Sequence, residues 1–209
     1  MKLVRFVLFM TSLLMAAFAQ NDAPNANAPK AAAQKAPATP PSPARISFES
    51  LKQLAGEWEG LVTVDPPMPQ WNNGKPVKLH VTMRVTSRGN LLVHEFQEAG
   101  TVLDFMKYDH PVTMIYVDND QLDLIHYCDA GNRPRMIAKP AADEKKIEFE
   151  FADISGPTKY GHMHHAIFIP GDQNHHTEEW TFMLPGDKHV SAKMELTRTT
   201  GPIAGAIGK

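Results

Sequence analysis

Leu122-Asp123-Leu124-Ile125-His126-Tyr127-Cys128-Asp129-Ala130-Gly131-Asn132-Arg133-Pro134-Arg135-Met136 reads as two strand arms around a tight reversal. On the first arm Leu122, Leu124, His126 and Cys128 alternate with Asp123, Ile125 and Tyr127, the period of two that marks a half-buried strand. Asp129-Ala130-Gly131-Asn132 is turn chemistry and supplies the positive φ that a reversal needs. The stretch also gathers the chain's one cysteine, a histidine and two arginines, so it is both a fold signal and a place to look for chemistry.

Outward from this hairpin the pattern is almost entirely β. Val77, Leu79, Val81, Met83 and Val85 alternate with Lys78, His80, Thr82 and Arg84, placing His80 toward solvent. Arg88-Gly89-Asn90 turns into a strand over 91–98, and Asp118-Asn119-Asp120 joins strands over 112–117 and 121–128. Later strands are expected over 132–139, 145–151, 160–169, 175–184 and 190–198, separated by Gly, Asn, Asp and Pro turns. Before them, Ile46, Phe48, Leu51 and Leu54 have helical spacing, with Ser47 as N-cap and Gly56 as the stop. The count is about ten strands, the pattern of an antiparallel up-and-down barrel or a sandwich.

The remaining segments are not barrel material. Lys2 and Arg5 precede an apolar run from Phe6 to Phe18, and Ala17-Phe18-Ala19 has the small-x-small form of a cleavage site. This predicts a signal peptide over 1–19 and a periplasmic or secreted protein. The run falls short of the about 20 residues a span needs, so stable membrane insertion is not expected. Residues 20–45 are rich in Ala, Pro, Asn and Gln and predict a disordered tether, leaving 46–200 as one domain and 201–209 as a flexible tail. The single thiol, Cys128, allows no internal disulfide, so a hydrophobic core must carry stability. A net charge of −2 with dispersed basic residues leaves no footprint for nucleic acid.

Leu54-Ala55-Gly56-Glu57-Trp58-Glu59-Gly60 resembles the Gly-x-Trp opening of the calycins, the superfamily of lipocalin, fatty-acid-binding and nitrobindin-like barrels. The resemblance implies a closed barrel with a short helix leading into a first strand, whose Trp58 closes the floor beneath Arg198 of the last strand. Both are then structural residues. His126 to Met136, together with Gly161-His162-Met163-His164, is more closely similar to uncharacterised exported bacterial proteins with lipocalin-like domains.

Strand parity in such a barrel sends His126, Cys128, His162, His164, His110 and His189 to the mouth, and His175 and His176 to the floor. Three readings follow. In one the barrel is a container for a small, largely apolar molecule, as the resemblance implies. Its interior is lined by Ile147, Phe149, Phe151, Trp180 and Phe182, with Tyr127 and Arg135 anchoring a carboxylate. In another, His126 with Cys128 and His162 with His164, each pair two residues apart on one strand face, hold Zn or Cu at the rim. In a third the barrel is solidly packed and its partner is a protein. Haem is a further implication of the resemblance, with His189 the nearest match to the family's histidine, although its parity points outward, and His164 the substitute. Cys128 with His126 is the one nucleophile–base pair worth naming, and their geometry is awkward, so binding rather than catalysis is expected. Glu178-Glu179 reads as a polar strand segment.

Overall fold

The arms on either side of Asp129–Asn132 are paired strands, and the same alternation carried along the chain closes on itself. The computed structural model describes residues 40–69, 71–139 and 145–199. The expected signal peptide, residues 20–39 of the tether and the tail over 201–209 lie outside the described residues. Ten strands run in order: β1 (Gly56–Asp65), β2 (Val77–Thr86), β3 (Leu91–Glu98), β4 (Val112–Asp118), β5 (Gln121–Tyr127), β6 (Arg133–Ala138), β7 (Ile147–Ser155), β8 (His162–Asp172), β9 (His175–Leu184) and β10 (Lys188–Arg198). Each pairs antiparallel with its sequence neighbours, and β1 pairs with β10 to complete a closed barrel with no free edge.

Closure is set by local chemistry. In the seam Trp58 lies opposite both Val81 and Arg198. Two residue pairs further, Gly60 meets β10 so closely that a Cβ there would sit 2.0 Å from the Glu195 carbonyl oxygen. Only glycine fits that approach. At the β5–β6 turn, Gly131 takes φ 73°, the left-handed conformation the sequence calls for.

The helix α1 (Pro43–Lys52) begins three residues before the expected start. Its N-cap is Ser42, not Ser47: Ser42 is extended and its hydroxyl accepts from the Arg45 N–H at 3.4 Å. Pro43 fills the first helical turn, where its fixed φ fits and its missing N–H costs nothing. The helix buries Phe48 and Leu51 completely, and Lys52 reaches the Gly89 carbonyl at 3.4 Å. The barrel end that holds Gly89, the start of β1 and the end of β10 is therefore the floor, and the opposite end is the mouth. At the floor Arg198 stacks 3.9 Å from the Trp58 ring centroid and donates to the carbonyls of Ala55, Gln53 and Gln173, while the Trp58 indole donates to the Leu54 carbonyl.

Candidate functional site

Inward positions of a barrel strand normally carry apolar side chains, and most do here: Leu92, Ile115, Leu122, Leu124, Met136, Phe149 and Phe168 are buried. Five inward positions break the pattern. His94, Thr113, His126, His176 and Glu178 are each no more than 3% exposed. Register assembles them into a layer: His94 on β3 lies opposite Thr113 on β4, which lies opposite His126 on β5. Glu178 and His176 come from β9, which carries Trp180 two residues on at the same parity.

Glu178 is the centre of this layer. It accepts from His176 Nε2 at 3.0 Å and Trp180 Nε1 at 2.9 Å, and His94 Nε2 lies 3.2 Å from one carboxylate oxygen and 3.0 Å from the other. Burial alone pushes this carboxyl up, but the His94 charge and the hydrogen bonds from His176 and His94 outweigh it and hold Glu178 well below the usual carboxylate range. An isolated buried carboxylate is too costly to persist ionised; one with three donors is not.

His126 stands apart. Its Nδ1 shares a 2.9 Å hydrogen bond with Thr113 Oγ1, and burial, with a smaller repulsion from His94, pushes it down to about 3. It is a neutral imidazole at physiological pH. His94 Nδ1, His126 Nε2 and His176 Nδ1 are buried with no hydrogen-bond partner among the described residues. His176 packs edge-on against Trp58 at 4.2 Å, which joins the polar layer to the floor.

On the mouth side of this layer is a cavity of about 430 Å³. Trp180, Phe182, Val190, Ala192 and Met163 line it from β8, β9 and β10, and Trp71 closes over it from the β1–β2 loop. Trp180 belongs to both regions: its N–H is held by Glu178 and its ring lines the cavity.

The residues singled out in the sequence are distributed as follows. Trp180 lines the cavity, and His126 lies behind it at 5.7 Å between ring centroids. Arg135 is on the outer face, where it donates to Asp123 at 2.7 Å and Asp153 at 2.6 Å; those carboxylates raise it further above its ordinary value. Tyr127 is exposed beside the β3–β4 loop. Neither faces the cavity. Cys128 is half-buried just beyond β5, and burial pushes its thiol up. A thiol held protonated and a histidine tied to Thr113 do not make a nucleophile–base pair.

The expected metal quartet divides. His162 Nε2 and His164 Nδ1 are 3.2 Å apart, but His126 is in the core. Among the described residues, the donor atoms of Asp109, Cys128 and Asp129 are the one His/Cys/Asp/Glu trio within 4.8 Å of one another. His189 and His164, the haem ligands implied by the resemblance, line a separate hollow and are not among the residues that line the cavity. Sequence reading misses Glu178, His94, Thr113 and His176. The signal was available for Glu178 and His176, which share parity with Trp180 and Phe182.

No family model matches this chain, and no curated protein matches it. Among solved structures, the crystal structure of Rv2717c from M. tuberculosis is similar, with a TM-score of 0.50 and 15% identity over 74% of this chain and 98% of that one. A protein with unknown function from the DUF3598 family of Nostoc punctiforme PCC 73102 is similar at a TM-score of 0.37 and 9% identity, covering 71% of this chain and 48% of that one.

Proposed function

We propose that this chain is an exported calycin-type barrel that binds a small, largely apolar molecule in the cavity at its mouth. The observation that carries the reading is the cavity itself, about 430 Å³, lined by aromatic and aliphatic side chains from three adjacent strands and open toward the mouth loops. Pockets of this size and lining suit compact organic ligands. The ligand's apolar body packs against Trp180, Phe182 and Val190, and any polar end meets Asp129 at the rim. Arg135 takes no part, because two carboxylates already hold it. Export rests on the charged start and apolar run of residues 1–19.

Trp180 makes binding measurable. A panel of apolar fluorophores and medium-chain lipids, titrated against the protein, is expected to change indole emission and saturate at one equivalent. Ala192→Phe, which fills the cavity, is expected to weaken binding at least tenfold while leaving the far-ultraviolet circular dichroism unchanged. Equal binding by the filled and native proteins would sink the reading.

A further inference from the structure

The outer face of the barrel carries a second cluster, remote in kind from the apolar cavity. His162 on β8 and His189 on β10 both lie opposite Met183 on the intervening strand β9. Three adjacent strands thus present imidazole, thioether and imidazole in one row. Phe182 lines the interior, so Met183 alternates to the outside with its two partners. A bulge in β8 between Met163 and His165 takes His164 out of the regular alternation and brings it beside this row. Its ring centroid is 5.3 Å from His162 and 6.2 Å from His189.

The backbone is shaped for this approach. Gly161, at φ 93°, leads into β8 so close to β9 that a Cβ there would lie 2.2 Å from the Met183 carbonyl oxygen. Buried Asn132 fixes the same point, donating to the carbonyls of Pro157 and Gly161 at 2.8 Å each. Phe151 stacks on His164 at 5.0 Å and packs against His162 at 4.7 Å, limiting how either ring can turn. Beside these rings is a shallow hollow of about 390 Å³, open to solvent and lined by Phe151, His164 and His189.

From this juxtaposition we propose that His162, His164, His189 and Met183 form a binding site for one copper(I) ion. Two imidazole nitrogens bound to one metal at 2.0–2.1 Å and a tetrahedral angle stand about 3.3 Å apart. His162 Nε2 and His164 Nδ1 are 3.2 Å apart, so the ion takes the place of their hydrogen bond, and the donor ring changes tautomer, its N–H proton passing by way of solvent to the ring's other nitrogen. Burial lowers the proton affinity of both rings, and neighbouring histidines lower it further, His164 acting on His162 and His189 on His164. His189 is exposed at the start of β10, with its ring centroid 6.2 Å from that of His164, and is the third imidazole of the set. The thioether selects copper(I) over zinc, because soft ligands favour the soft ion.

The test is a copper(I) titration of the full-length protein against a competing chromophoric chelator, carried out in native and Cys128→Ser backgrounds so that the lone thiol is removed from consideration. One equivalent is expected to bind in both. His189→Ala, whose site is exposed and cannot disturb the core, is expected to weaken binding at least tenfold, as is His162→Ala combined with His164→Ala. Met183→Leu is expected to weaken copper(I) and leave zinc binding unchanged. Apolar-probe binding in the cavity is expected to be the same in every variant, which separates failure here from failure of the container reading. The proposal is overturned if no stoichiometric copper(I) binds, if binding disappears with Cys128→Ser alone, or if the histidine or Met183 variants hold copper(I) as tightly as the native protein.

Discussion

At the level of single residues the interior is decided by two groups that most barrel cores would exclude. Glu178 is stabilised as a carboxylate by His94, His176 and Trp180, and His126 is stabilised as a neutral imidazole by burial and Thr113. The second has a consequence in pH. An unfolded histidine takes up a proton as pH falls below about 6.5, whereas folded His126 resists until about 3. Over that window the unfolded state binds more protons. His126 therefore leaves stability intact above pH 6.5 and removes about 1.4 kcal/mol per pH unit as pH falls toward 3. Urea unfolding of native protein and His126→Gln between pH 7 and 4 is expected to show a shallower pH slope in the variant; identical slopes would contradict the burial of an uncharged ring. A Glu-Glu pair in a strand reads as solvated, because carboxylates are seldom buried unpaired. Glu178 departs from that reading because its partner His94 is 84 residues away along the chain and its approach depends on closure.

At the level of elements, the seam between β1 and β10 makes the sheet a barrel, and Gly60 makes the seam. Alanine there would place its Cβ 2.0 Å from a backbone oxygen that no rotamer can move. Overpacking of this kind costs about 1–3 kcal/mol. Gly60→Ala is accordingly expected to lower the unfolding free energy by at least that much in denaturant titration, whereas Gly186→Ala serves as comparison, since nothing lies within 4 Å of a Cβ there and its cost is limited to φ 79°. Equal losses in the two variants would show that seam contact is unimportant. The strand order and most strand bounds were legible from alternation and turn residues. The helix start was not, because Ser42 and Pro43 are embedded in an Ala/Pro-rich stretch whose composition resembles the tether. It is the packing of Phe48 and Leu51 that holds the helix in place.

For the whole molecule, the proposed container links binding to stability, because a ligand held in an apolar cavity that only the closed barrel forms would bind the folded state alone. A ligand present at about 100 times its Kd adds about 2.7 kcal/mol to folding. The unfolding midpoint is therefore expected to rise by several degrees with the best apolar ligand of the screen and to stay fixed in Ala192→Phe; a rise of equal size in both would assign the effect to another site. Alternation, turn residues and the Gly-x-Trp opening were enough to determine an all-β chain of ten antiparallel strands, and parity along single strands was enough to send His162, His164 and His189 to the mouth. These are properties of neighbours in sequence, and a strand's two-residue period is a local fact. Which inward polar residues meet was decided only by tertiary structure. The sharing of Glu178 by His94 and His176, the capture of Arg135 by Asp123 and Asp153, and the row of His162, Met183 and His189 all depend on strand register and barrel closure, which bring together side chains that no local pattern relates.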